Sequence, residues 1–243
     1  MRPFIKYFLL GVLTCTLFYF ASSALDNKQE NYIITLCKDT VYETEAHIIV
    51  ASKEGRVRMI VAGIHGDEVA GIRAAEVLSD MRLKDGSLIV IPVVNQPAVL
   101  LNQRTAFGQG DLNRLFSDNT VRNPVVDEVI QMMVEFDVDL VIDLHEALPS
   151  IGNADQIEDS IIVGKYGASL LDVVTLFDRV GSKVTQVKGF TYLNNPVSGS
   201  LNQYASDMLK IPAYTIETNR LDQLDLRVLE HVELSKALID MSE

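Results

Sequence analysis

The sequence predicts an α/β fold: a mixed, mostly parallel central β-sheet with helices on both faces, in three layers. Three observations carry this. Apolar runs of strand length alternate with stretches of helical periodicity along most of the chain. The runs Met59–Ala62 and Val138–Leu144 are nearly all apolar, as strands covered on both faces are. Polar residues follow directly where these runs stop, and open α/β sheets hold their ligands at the carboxyl ends of the strands.

Taken in order, Asn31 to Cys37 and His47 to Ala51 read as two strands joined by a polar turn, and with Arg56–Ala62 they make an antiparallel-like opening. Gly63 and Gly66 allow a sharp turn, after which Val69, Ile72, Ala75 and Val77-Leu78 recur at helical spacing. Lys84-Asp85-Gly86 stops that helix near Leu83. Leu88 to Val94 is a further strand, and Pro92 within it argues for an edge or a strand end. Asn95 to Ser117 is rich in Gly, Asn, Gln and Arg and reads as a long functional loop. Pro124 to Phe136 is a helix capped by Asn123 with Pro in its first turn. Val138 to Leu144 is a strand ending in His145-Glu146, and Ile161–Val163 is a shorter one. Ala168–Val180 and Ser200–Leu209 are helices, Ala213–Glu217 a strand, and Leu221–Met241 a long amphipathic helix.

A chain of 243 residues suffices for one sizeable domain and is short for two. Its 48% hydrophobic and 22% charged residues are ordinary for a globular protein. A net charge of −12 with no basic cluster argues against nucleic acid and anionic membrane surfaces as partners. Arg2 and Lys6 precede an apolar segment from Tyr7 to Ala21, followed by Ser22-Ser23-Ala24. This is the layout of a secretory signal, so residues 1–24 are set apart and 25–243 form the domain. Fifteen apolar residues span about 22 Å as a helix, short of a hydrocarbon core of about 30 Å. An uncleaved anchor is the alternative, and the one membrane contact the sequence offers. Cleavage after Ala24 removes Cys15 and leaves Cys37 alone, so no intrachain disulfide forms. An exported, disulfide-free chain fits a bacterial periplasm or cell envelope.

The candidate chemistry begins at His65 and Glu68. An imidazole and a carboxylate three residues apart, on a turn between a strand and a helix, can close on one metal ion. Many surface turns carry this pair, and what raises it is His145 at another strand end. Two histidines and a glutamate leave a fourth position open, the ligand count of a catalytic zinc site. Asp143, two residues before His145, is a candidate acceptor for a ligand imidazole, with a solvent-facing role as the alternative. Glu217 is a candidate general base; taken alone it reads as a surface glutamate before a loop. The loop supplies Arg104 and Arg114. Arginine grips carboxylates through paired hydrogen bonds, so two beside a metal point to a substrate with a free carboxylate and to oxyanion stabilisation. The alternative is two solvated loop arginines and an Asn113 that caps a turn.

His65-Gly66-Asp67-Glu68, Asp111-Leu112-Asn113-Arg114-Leu115-Phe116, Asp143-Leu144-His145 and Tyr214-Thr215-Ile216-Glu217, in this order, resemble the zinc carboxypeptidase superfamily. Within it the likeness is to the succinylglutamate desuccinylase/aspartoacylase branch and to bacterial murein-peptide amidases, from about Ile48 onward. The resemblance implies a three-layer zinc carboxypeptidase-like fold and one zinc ion held by His65, Glu68 and His145. It implies that Glu217 activates water and later protonates the leaving amine, and that Arg104 polarises the scissile carbonyl. Asn113 and Arg114 are implied to bind the substrate's carboxylate. Two departures stand out. The desuccinylase-like relatives carry a further β-rich domain after the glutamate, whereas Thr218 to Glu243 read as one helix, so a more open site suited to peptides is expected. The carboxypeptidases use a tyrosine before the glutamate; Tyr192 and Tyr204 fit neither spacing, and Tyr204 reads as packed on its helix.

The sequence thus points to an exported zinc hydrolase of an amide bond beside a carboxylate-bearing residue, on small peptides such as cell-wall peptides. Its rivals are a desuccinylase/aspartoacylase-type deacylase of N-acyl amino acids, a zinc- or ligand-binding protein without turnover, and a membrane-tethered scaffold. His47 and His231 read as surface or structural residues. Ser198-Gly199-Ser200 reads as a helix start rather than a nucleophile elbow. Phe190, Tyr192 and Asn194-Asn195-Pro196 are candidates for a substrate entrance, or simply a loop.

Overall fold

The computed structural model describes residues 28–117, 123–148, 158–167 and 169–242. Eight strands form one sheet in the order β1-β2-β4-β3-β5-β8-β6-β7. They are β1 (Glu30–Leu36), β2 (Thr44–Val50), β3 (Val57–Val61), β4 (Ser87–Ile91), β5 (Leu140–Ala147), β6 (Ser160–Val163), β7 (Thr191–Leu193) and β8 (Ala213–Asn219). The four central strands β4, β3, β5 and β8 run parallel, and antiparallel neighbours flank them on both sides. The helices are α1 (Val69–Leu78), α2 (Gln96–Leu101), α3 (Pro124–Glu135), α4 (Leu170–Gly181), α5 (Leu201–Gln203, continued by a wider turn, Tyr204–Met208) and α6 (Leu224–Met241). This is the mixed, mostly parallel α/β/α sheet that the sequence predicts.

Alternation along the strands separates two cores. Ile60, Leu88, Ile142 and Ile216 face α1, α4 and α6, and meet Leu78, Leu176 and Leu238. Met59, Ile89, Val141 and Ala213 face α3 and α5, and meet Val129, Met133 and Leu201. All eight residues of β5 are buried, as expected of a central parallel strand covered on both sides. Its apolar residues fill both cores; Asp143 and His145 therefore point to the α3/α5 face and Glu146 to the other.

Three expectations change. The opening strands are not one antiparallel run: β4 lies between β2 and β3, antiparallel to the first and parallel to the second. Parallel neighbours need a crossover, and α1 supplies it between β3 and β4. Helix α1 ends at Leu78 rather than near Leu83. The Ser79 hydroxyl turns back to the Glu76 carbonyl, and the Gln29 side chain ties down Met81 O and Leu83 N at 3.0 Å each. The loop from Asn95 to Ser117 is not structureless: Asn95 caps α2 by accepting from Ala98 N, with Pro97 in the first turn. Pro92 falls just after β4, at a strand end, although β4 itself is interior.

Among the described residues no helix is long and apolar enough to cross a membrane. The apolar segment before Ala24 lies outside the described residues.

Candidate metal centre

The turn after β3 is shaped by glycines. Gly63 takes φ +65°, and a Cβ at Gly66 would come within 2.2 Å of the Ala98 carbonyl oxygen, so only glycine lets this turn pass under α2. The turn delivers His65 and Glu68 to the carboxyl end of the sheet. His145 comes from the end of β5, and Glu217 lies directly beside it on β8.

His65, Glu68 and His145 converge and are buried. His65 Nδ1 and His145 Nδ1 lie 3.2 Å apart, and the Glu68 carboxylate spans them, one oxygen 2.7 Å from each. A tetrahedral ion with arms of about 2.0–2.1 Å needs donor atoms about 3.3 Å apart. The nitrogen pair matches that spacing. The outer nitrogens are held too. His65 Nε2 is 3.0 Å from Asp111 Oδ1, and His145 Nε2 is 3.0 Å from Asp143 Oδ2. A carboxylate behind each imidazole fixes the ring and keeps its other nitrogen available, an arrangement that ligating histidines share. The donor set therefore fits a divalent ion.

The electrostatics follow from these contacts. Burial opposes charge on His145, yet Asp143 and Glu68 hold its pKa well above the usual histidine value. Burial would raise Glu68, but His145 and His65 keep its carboxyl well below the usual range. Asp111, despite partial burial, is likewise held down by His65 and Arg104. Glu217 goes the other way. Burial pushes it up to about 7, with Glu68 and Asp143 adding to the rise and His145 opposing it. A carboxyl group that titrates near neutrality can both take and return a proton.

Asp111 is the hub of the loop. It accepts from Asn113 N at 2.9 Å, receives Arg104 Nη2 at 3.0 Å, and lies 3.9 Å from Arg114 Nη1. Arg104 and Arg114 are about half exposed at the edge of the site. Arg104 Nη1 also reaches within 3.6 Å of Glu68 Oε1. Asn113 is buried, and both ends of its amide are engaged: Nδ2 lies 3.2 Å from His145 Nε2, and Oδ1 accepts from Leu201 N. Arg114 Nη1 donates to the Asn113 carbonyl at 2.7 Å.

The structure thus brings His65, Glu68, His145, Glu217, Arg104, Asn113 and Arg114 to one end of the sheet. The ring-orienting role of Asp111 escaped the sequence reading, although its motif was in view. So did Arg220, whose guanidinium pairs with Asp67 at 2.7 and 3.1 Å. Of the residues set aside, His47 is part-exposed near Glu45, and His231 is fully buried. Ser200 caps α5, accepting from Gln203 N at 3.1 Å, which makes its triplet a helix start as read. Tyr204 is packed in the core, as expected. Phe190 is also a core residue. Tyr192, Asn194, Asn195 and Pro196 line a separate cavity of about 490 Å³ beside Val163. Val163 pairs with Tyr214, three positions back from Glu217, so that cavity lies toward the other end of β8.

Residues 31–151 match the family described as a carboxypeptidase controlling helical cell shape, catalytic region. The chain is 36% identical over 104 residues to the N-alpha-acetyl-L-2,4-diaminobutyric acid deacetylase of Halomonas elongata, a match covering 40% of this chain and 30% of that one. Among solved structures it resembles mDAP-bound Csd4, a D,L-carboxypeptidase of Helicobacter pylori, with 22% identity and a TM-score of 0.66, over 76% of this chain and 50% of that one. It also resembles a candidate metallopeptidase of Shewanella baltica, with 18% identity and a TM-score of 0.68, over 88% and 87% of the two chains. At such identities the structural likeness is one of fold. The chain spans half of the Csd4 structure and less than a third of the deacetylase. In fold and in the order of its site motifs, the chain resembles the zinc carboxypeptidase-like hydrolases, the likeness its sequence carries.

Proposed function

We propose that this chain is a zinc-dependent hydrolase that cleaves an amide bond next to a carboxylate-bearing residue. The observation that carries this reading is the Nδ1–Nδ1 approach of 3.2 Å between His65 and His145, with Glu68 spanning both. These three residues would hold one zinc ion. Bound there, the ion would supply Lewis-acid polarisation of a carbonyl and acidification of water.

The protein's own side chains do the rest. Glu217, beside His145 on β8, takes a proton from the attacking water and passes it to the departing amine. Arg104 faces the oxygen of the scissile carbonyl and stabilises its developing charge. Arg114 pairs with the free carboxylate of the substrate, which sets the register of the scissile bond. Asn113 stands behind Arg114, its carbonyl accepting from the guanidinium. The carboxylate contact assigned to Asn113 would require its amide to leave Leu201 or His145.

Two substrate classes share this chemistry. Csd4 is described as a D,L-carboxypeptidase bound to mDAP, and the Halomonas relative as a deacetylase of an N-acetylated amino acid. In both, the amide lies close to a free carboxylate. We take small peptides, including cell-wall peptides, as the substrates of this chain, and N-acyl amino acids as the second reading that the 36% identity favours. Export to a bacterial envelope fits the first class.

The test is a hydrolysis screen of the zinc-loaded protein against muropeptides, their carboxyl-amidated forms and N-acetyl amino acids. Cleavage of free-acid peptides with loss on amidation supports the reading. Equal cleavage of acid and amide removes the role of Arg114, and turnover confined to N-acetyl amino acids establishes the second reading.

A further inference from the structure

Asp67 lies between His65 and Glu68 in the chain, and its carboxylate is paired outside the donor set. It meets Arg220, whose Nη1 and Nη2 donate to its two oxygens at 2.7 and 3.1 Å. This is the planar two-pronged pairing that arginine forms and lysine cannot. The same Nη2 lies 3.3 Å from Glu68 Oε1, so one guanidinium bridges the carboxylates of two consecutive residues. Arg220 follows Glu217 by three positions at the end of β8, and its backbone N–H donates to Ala147 O at 2.9 Å at the end of β5. Through one residue the His65–Glu68 turn is tied to the strand carrying His145 and to the strand carrying Glu217. Its side chain is mostly buried, where a bidentate ion pair is screened far less than at the surface.

We propose that Arg220 is a positioning residue: with Asp67 it clamps the ligand-bearing turn to β8, and so sets the distance between Glu217 and the His65, Glu68, His145 donor set. The clamp rests on the reading of that set as a metal site. A carboxylate free to rotate would turn an oxygen away from one imidazole. Arg220, gripping Asp67 and reaching Glu68 Oε1 from outside, keeps Oε1 on His65 and Oε2 on His145. The clamp is a different device from the ring-orienting carboxylates Asp111 and Asp143, because it acts on the glutamate and on the spacing between strands.

The test uses the whole protein and its variants Arg220→Ala, Arg220→Lys and Asp67→Asn, alone and combined. Zinc affinity is measured on the metal-free proteins by competition with a chromogenic chelator, and turnover is measured at saturating zinc. Arg220→Ala should weaken zinc binding about 10–100-fold, the range for partners that orient ligands. At saturating zinc its kcat should fall while KM stays within about twofold, because the scaffold and not the substrate contact is disturbed. Arg220→Lys keeps the charge and should recover most of the zinc affinity but not kcat, having lost the fork. Adding Asp67→Asn to Arg220→Ala should cost little more, since the two act as one unit. Wild-type affinity and kcat in Arg220→Ala overturn the clamp, as does full additivity in the double variant. A loss of melting temperature with zinc affinity unchanged in the folded fraction also overturns it, for that is a merely structural role. Wild-type protein that takes up no zinc removes the metal reading, and the clamp with it; wild type that binds zinc beside indifferent variants removes the clamp alone.

Discussion

On one face of β5 and β8, His145 sits between Asp143 at 3.0 Å and Glu68 at 2.7 Å. On the other face, His231 of α6 lies equally buried, with Nε2 3.0 Å from the Thr218 hydroxyl and, among the described residues, no carboxylate bonded to either nitrogen. The same side chain in the same degree of burial behaves in opposite ways. His145 is held well above the ordinary histidine pKa, whereas burial drives His231 down to about 3. The glutamates repeat the contrast. Glu68, between two imidazoles, stays ionised, while Glu230 on α6, fully buried with neither oxygen hydrogen-bonded among the described residues, is pushed up to about 8. Glu146 of β5, which points to the same side, is engaged by Arg227 and by Ala70 N. Burial by itself makes a histidine neutral and inert. It becomes a candidate ligand when a carboxylate of its own segment and one from a distant segment meet its two nitrogens, as Asp143 and Glu68 do at His145.

The largest effect should come from exchanging the two histidines for alanine in parallel. His145→Ala should abolish tight zinc binding and lower hydrolysis by about 10³-fold or more, because the ion loses both anchoring and charge stabilisation. His231→Ala should keep zinc affinity and kcat and lower only the melting temperature. Zinc titration with calorimetry, beside a thermal melt, separates them. A His231 variant that loses zinc would erase the contrast.

Next in size is Glu217→Gln, which keeps shape and loses the proton acceptor. Zinc affinity should hold, and kcat should fall about 10²–10⁴-fold. A retained rate would move the acid–base role to another group. Smaller still is Asp111→Asn, which weakens the contact at His65 Nε2 without touching the donor atoms. Zinc affinity should drop about 10–100-fold by chelator competition. Asp143→Asn, acting on His145, should match it, since each carboxylate serves one ring; an effect at only one of the pair would show that the rings are held unequally.

Where the sequence was legible, it was legible for local reasons. The β5 run from Leu140 marks a strand buried on both faces, and a histidine at its end has a predictable address. Asn123 with Pro124 announces α3 within a few residues. Three of the four site motifs sit on strands β5 and β8 or on the glycine turn after β3, and the fourth, Asp111–Phe116, is a short helical turn in the loop after α2. Illegible parts depend on partners far off in sequence. Gln29, some fifty residues before Met81, stops α1 early. The position of β4 between β2 and β3 follows from pairing across the sheet, which periodicity does not encode. Arg220 and Asp67 stand 153 residues apart, and each alone looks like a surface charge. Asn113 was visible as part of a motif, but its engagement by Leu201 and His145 needed the packing of α5.

The smallest expected effect is on stability, and it sharpens the comparison at Glu230. Burial, then Asp159 and Asp222, raise its folded pKa to about 8, with Arg227 opposing. Unfolded, a glutamate titrates near 4.3. Between these values the folded state binds more protons, so this group makes stability fall as pH rises through the window and leaves it level above about 8. His231 acts below its unfolded value near 6.5, where the unfolded chain takes a proton that the fold refuses, so there stability falls as pH falls. The two slopes oppose each other in weak acid, and above pH 6.5 Glu230 acts without that opposition. Glu230→Gln removes the carboxyl and keeps its volume. In metal-free protein, the melting temperature of the variant relative to wild type should rise by a few degrees from pH 6.5 to 8.5. Taking the difference cancels groups common to both proteins, Glu217 among them. A difference that stays flat over that interval would mean Glu230 is already ionised in the fold, and that the far face holds its charge as the site face does.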